Sequence, residues 1–105
     1  MAADEAASPP ESGAPVLSRT VTIINKRGLH ARAAAKFVMV AERFGASVDV
    51  LRDGQSVSAR SIMGLMMLGA GRGAMLELRA EGWDAKEALD ALAALVEAGF
   101  DEQPD

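Results

Sequence analysis

The stretch Gly28-Leu29-His30-Ala31-Arg32, followed by the apolar spacing Ala34, Phe37, Val38, Ala41 and Phe44, fixes the reading of this chain. The spacing is i, i+3, i+4, the stripe of a helix packed on one face. It predicts a helix from about Ala31 to Phe44 that stops at Gly45. His30, the only histidine, therefore stands where the helix begins. A helix start presents unpaired N–H groups and about half a positive charge, which attracts anions. Neutral imidazole is a competent nucleophile, and a positive helix end favours the neutral form. Arg32 adds a permanent charge and a planar fork of donors suited to phosphoryl oxygens. These residues describe a phosphate-accepting histidine, with Arg32 positioning and partly neutralising the group. The pentapeptide alone leaves plainer readings open: His30 as a helix cap or a half-buried side chain, and Arg32 as an exposed helix charge. Arg32, Lys36 and Arg43 are expected on the exposed face, where Lys36 and Arg43 would steer acidic partners.

On either side of that helix the pattern changes period. Val21 and Ile23 alternate with Thr20, Thr22 and Ile24, predicting a strand over 19–24, and residues 25–28 read as a turn. Beyond Gly45, Val48 and Val50 alternate with Ser47 and Asp49 as a second strand. Asp53-Gly54 is a two-residue hairpin signal, and a third strand follows over 55–59. Ser61 heads the compact apolar run Ile62-Met63-Gly64-Leu65-Met66-Met67-Leu68, which closes at Gly69 and the turn Gly71-Arg72-Gly73. A serine in that place is a good N-cap. Leu76, Leu78 and Ala80 alternate with Glu77 and Arg79 as a fourth strand. Asp84 with Glu87 has the form of a capping box opening a last helix through Ala88, Leu89, Leu92, Leu95 and Val96 to Gly99. The element order is βαββαβα, and a sheet with helices on one side buries every apolar face.

Composition narrows the function. The chain has 105 residues and a formal net charge of −4, but six of its acids lie in residues 1–18 and 101–105. The body over 19–100 carries eleven bases against nine acids, too balanced for a nucleic-acid footprint. Residues 1–18, rich in Ala, Ser, Pro and acids, are expected to be a disordered acidic tail, 19–100 a single domain, and 101–105 a short acidic tail. Cysteine is absent, so disulfides and thiolate metal sites are excluded. No base precedes Arg19 and no apolar run resembles a signal peptide or a membrane span; a cytoplasmic monomer is expected, with no membrane insertion. No metal or other cofactor is expected, because the chain shows no ligand cluster, no nucleotide-binding loop and no carboxylate pair. Such a chain suits a carrier better than a turnover enzyme.

The element order, the Gly28-to-Arg32 motif and Ser61-Ile62-Met63-Gly64-Leu65 resemble the HPr family, the histidine-containing phosphocarriers of the phosphoenolpyruvate-dependent phosphotransferase system. The resemblance spans residues 19–100. It implies an α+β open-faced sandwich, a four-stranded antiparallel sheet with three helices on one face. It also implies phosphorylation of His30 at Nδ1 by enzyme I and transfer to an EIIA-type acceptor. Ser61 matches a serine that, in many members, an ATP-dependent HPr kinase/phosphorylase modifies; plain capping is the alternative. Leu65 and Leu68 are expected in the core, leaving Ile62, Met63, Met66 and Met67 as a flexible docking surface near His30; the alternative is that these methionines fill a thin core. Where the family commonly has proline after the arginine, this chain has Ala33. With the methionine-rich run, Ala33 resembles the proteobacterial branch with regulatory, nitrogen-linked output. A different class of function stays open on residues alone: a non-phosphorylated interaction module docking through the helix at 62–68.

Overall fold

The computed structural model describes residues 15–102. The elements follow in the order β1 (Leu17–Thr22), α1 (Ala31–Ala41), β2 (Ser47–Arg52), β3 (Gln55–Ser58), α2 (Ile62–Met67), β4 (Met75–Glu81) and α3 (Ala85–Glu97), then a 3₁₀ turn at Gly99–Asp101. The strands form one sheet ordered β1-β4-β2-β3, antiparallel throughout. Val21 lies opposite Leu76, Val50 opposite Leu78 and Val48 opposite Ala80, so the apolar alternates of three strands share one face. Those residues join Phe37 and Val38 of α1, Leu65 of α2 and Leu89, Leu92 and Val96 of α3 in a single core. Thr20, Thr22, Ser47, Asp49 and Arg79, on the alternate positions, are exposed. The fold is the open-faced sandwich that the resemblance implied.

Local chemistry explains the connections. Asp53 and Gly54 both have positive φ (49° and 83°), which gives the hairpin a turn whose twist matches its strands. Arginines meet carbonyls where two helices give way to loops: Arg60 donates to Phe44 O, in the turn after α1, at 2.6 Å, and Arg52 to Leu68 O, at the C-cap of α2, at 2.9 Å.

The structure adjusts several sequence expectations. β1 begins at Leu17, because pairing of Leu17 with Ala80 and of Ser18 with Arg79 draws both residues into the sheet. The folded unit is therefore wider than 19–100. Of the expected N-terminal tail, residues 1–14 lie outside the described residues, as do 103–105 at the other end. Asp101 and Glu102, expected in the C-terminal tail, continue from the turn after α3. α1 ends at Ala41 because the next N–H groups tighten to i−3 carbonyls, Arg43 to Val40 and Phe44 to Ala41. Asp84 is the N-cap residue of α3 but makes no capping hydrogen bond. Its buried carboxylate instead accepts from the N–H groups of Gly45 and Ala46 at 2.9 and 2.8 Å, tying the start of α3 to the loop before β2. Among the described residues no helix is long and apolar enough to cross a membrane.

Candidate functional site

His30 is delivered by a loop with little freedom. Gly28 N donates to Asn25 O at 3.2 Å, and Leu29 N donates to Ala70 O at 2.9 Å, stitching the loop to the turn before β4. Leu29 is buried. Gly28 has φ +68°, and a Cβ there would lie 2.5 Å from Ala70 O and 2.7 Å from Gly71 Cα, so no other residue fits without moving backbone. This pair of contacts fixes where the chain turns into α1.

At the N-cap of α1, His30 has extended backbone (φ −75°, ψ 179°), and its carbonyl accepts the first helical hydrogen bond from Ala34 N at 2.8 Å. Its imidazole makes no capping hydrogen bond. Instead Nε2 donates to Glu102 Oε2. Glu102 is held from its other oxygen: Asn25 Nδ2 donates to Oε1 at 3.1 Å and also to Gly28 O at 2.8 Å. The hydrogen bond from His30 keeps the Glu102 carboxyl below its ordinary value, against partial burial, with the Asn25 amide and the Arg27 charge adding to the effect. An ionised carboxylate only accepts, so the proton between the two rests on Nε2, and it is Nδ1 that carries the lone pair whenever the ring is neutral.

Around this pair runs an open recess whose basic side chains are Lys26, Arg27, Arg32, Lys36 and Arg72, with Asp101 and Glu102 as its acids. Arg32 is exposed in it. Lys36, expected on the exposed face, is half-buried, and its ammonium donates to Phe100 O at 2.8 Å. It anchors the C-terminal turn to α1 as well as charging the recess. Five cations beside an unhindered helix start form an anion-attracting surface. Among the described residues no cluster of His, Cys, Asp or Glu could hold a metal ion.

The second candidate region is α2. Ser61 is its N-cap, its hydroxyl accepting from Gly64 N at 2.9 Å. Leu65 and Leu68 are buried, whereas Met63 and Met67 are 71% and 72% exposed, so these methionines do not fill the core. Ile62 and Met66 are also exposed, giving an apolar outer face. Ser61 and these four residues do not line the recess, which brings together His30, Arg32 and Lys36.

Sequence reasoning missed Asn25, Arg27, Arg72 and Glu102. Lys26-Arg27 beside the histidine motif was a usable charge signal, and Arg72 lay in a segment read only as a turn. Glu102, 72 residues from His30, left no signal, since nothing local joins the two.

Comparison with known proteins gives one answer. A family profile described as "PTS HPr component phosphorylation site" matches residues 17–98. The chain is 51% identical over 87 residues to phosphocarrier protein HPr of Cupriavidus necator, covering 83% of this chain and 98% of that protein. It is 49% identical to phosphocarrier protein NPr of Shewanella violacea, covering 82% and 94% respectively. The fold superposes on HPr-C-His from Thermoanaerobacter tengcongensis with a TM-score of 0.80 at 45% identity, covering 84% of this chain and 99% of that one. With a histidine at the head of α1 in a basic recess, and relatives matched over nearly their whole length, the chain belongs to the HPr family of the phosphotransferase system.

Proposed function

We propose that this chain is a phosphocarrier: His30 accepts a phosphoryl group at Nδ1 from phospho-enzyme I and passes it to an EIIA-type acceptor. The observation that carries the reading is the imidazole at the α1 N-terminus, whose Nε2 is occupied by Glu102 and whose ring does no capping work. That leaves Nδ1 as the nucleophile, beside donors and charges that stabilise a phosphoryl dianion without burying it. A P–N linkage is labile enough to be handed on, so donor and acceptor states stay close in energy. Arg32 positions the group, and the surrounding cations attract acidic partners at a rate that falls with salt. The exposed face of Ile62, Met63, Met66 and Met67 supplies an adaptable apolar surface for several partners, consistent with methionine's flexibility. The similarity to an NPr protein supports a regulatory output for the phosphoryl relay. In this reading the protein works as a cytoplasmic monomer, and Ser61 is the position at which an HPr kinase/phosphorylase acts.

Incubation with phosphoenolpyruvate and enzyme I, followed by intact-mass measurement, tests the reading. One phosphoryl group should add, stable to base and labile to acid, and His30→Ala should abolish it with circular dichroism nearly unchanged. Labelling that persists in His30→Ala overturns the assignment.

A further inference from the structure

We infer that Glu102, from the segment after α3, is a positioning residue for His30: its carboxylate, aimed by Asn25, holds the proton on Nε2 and turns Nδ1 toward transfer. The inference deepens the phosphocarrier reading and rests on it for its kinetic consequence, though not for its geometry.

The contact is not that of a loose tail. Phe100 is fully buried and anchors the turn, and Phe100 and Asp101 both have positive φ (57° and 60°), a conformation L-residues adopt at a cost. Asp101 N and Glu102 N donate to Ala98 O and Gly99 O at 3.1 Å each, and Lys36 Nζ clamps Phe100 O at 2.8 Å. The chain is thereby reversed so that the last described residue meets the first residue before α1. Asn25 completes the arrangement. It is buried, both donations of its amide nitrogen are committed to Gly28 O and Glu102 Oε1, and its Oδ1 is left with no partner among the described residues. An orphaned buried acceptor is unfavourable. Turning the amide over would set its oxygen against a carboxylate, so the nitrogen's two partners dictate its orientation. The hydrogen bonds from His30 and Asn25 favour Glu102 as an anion, with the Arg27 charge adding less.

The chemistry is balanced without any proton leaving the ring. The Nδ1 lone pair forms the N–P bond as the bond from phosphorus to the donor's leaving atom breaks, and that electron pair stays with the donor. Nε2 keeps its proton, so positive charge develops on the imidazole, and the Glu102 carboxylate neutralises it where it develops. In onward transfer the N–P pair returns to Nδ1, and the protonated Nε2 makes the ring a better leaving group. One carboxylate therefore assists both directions, as a carrier requires.

The test uses the full chain and two variants, Glu102→Ala and Glu102→Gln, with two readouts. The first is nitrogen-15 NMR of the His30 ring at neutral pH, which needs no partner protein. Wild type should show a hydrogen-bonded Nε2 proton protected from exchange and an unprotonated Nδ1. Glu102→Ala should lose that protection, with tautomers drifting toward those of free imidazole, while Glu102→Gln should keep the tautomer through its amide oxygen. The second readout is single-turnover phosphorylation by phospho-enzyme I. The saturating rate should fall about ten- to a hundredfold in Glu102→Ala, the worth of a charge-assisted hydrogen bond, with the half-saturating concentration unchanged. Glu102→Gln should lie between. Identical ring spectra in wild type and Glu102→Ala overturn the inference, whatever the rates. So does a loss confined to the half-saturating concentration, which would mean docking. A wild type that is not phosphorylated at His30 would refute the phosphocarrier reading instead, with the ring spectra still deciding whether Glu102 positions the imidazole.

Discussion

Replacing Gly28 by alanine tests how the loop before α1 seats His30. Two costs follow from the structure. At φ +68° an alanine is in the left-handed region, a penalty of roughly 1–2 kcal/mol. The added Cβ would also stand 2.5 Å from Ala70 O and 2.7 Å from Gly71 Cα, both backbone atoms, so the loop must withdraw from that turn. Withdrawal stretches the Leu29 N to Ala70 O hydrogen bond, now 2.9 Å, worth about 1 kcal/mol. The sum is about 2–3 kcal/mol, which for a domain of this size lowers the melting temperature by roughly 10–20 °C. Gly54→Ala is the matched control: its φ is +83°, but nothing lies within 4 Å of the new Cβ, so only the roughly 1–2 kcal/mol conformational penalty applies. Urea unfolding of both variants, read by circular dichroism, gives the two free energies. His30 phosphorylation should slow in Gly28→Ala and not in Gly54→Ala, because only the first moves the start of α1. Equal destabilisation of the two variants, or unchanged phosphorylation of folded Gly28→Ala, would refute the claim that this close approach positions the site.

Other expectations follow from single residues. Arg32→Ala should slow phosphoryl exchange by one to two orders of magnitude, about 1.4–2.7 kcal/mol of barrier, and Arg32→Lys should recover only part of it, since an ammonium lacks the planar fork; quench-flow transfer measures both. Ser61→Ala should cost about 1 kcal/mol in a urea melt through loss of the Gly64 N–H bond, whereas Ser61→Asp should fold normally and be phosphorylated at His30 more slowly through weaker enzyme I binding. Met63→Ala and Met67→Ala should weaken partner affinity in titration calorimetry while leaving the melting temperature within a degree or two, given their exposure. The Glu102 carboxyl titrates below its ordinary value of 4.5 in the folded chain. Its stabilisation is therefore fully present above the unfolded value and disappears as pH falls through the folded one. The stability difference between wild type and Glu102→Gln should shrink as acid protonates Glu102; a difference that grows on acidification would contradict a carboxylate held ionised by its hydrogen bonds.

Much of the architecture was legible because each element carries its own period. Alternation of Val21 with Thr20 and Thr22, or of Leu76 and Leu78 with Glu77 and Arg79, tells which strand face is buried whatever the neighbours, and the stripe through Phe37 and Val38 does the same for α1. Asp53-Gly54 specified its hairpin because a two-residue turn with positive φ at both positions admits few other sequences. Ser61 announced a helix start through a bond spanning three residues. These are local relations, and sequence by itself determines them. What it could not determine depends on which distant segments meet. The order β1-β4-β2-β3 brings the strand after α2 into the middle of the sheet, and no period in the chain encodes that choice. Asp84 shows the limit at one residue: three residues before Glu87 it has the form of a cap, yet the loop at Gly45 and Ala46 offers its carboxylate two better-placed donors. Glu102 shows it at the site. Its sequence neighbours mark it as part of an acidic tail, but burial of Phe100 and the clamp from Lys36 carry it back to His30. The identity of the nucleophile was written in five consecutive residues. The carboxylate on its second nitrogen was decided by tertiary structure, because only packing joins groups 72 residues apart.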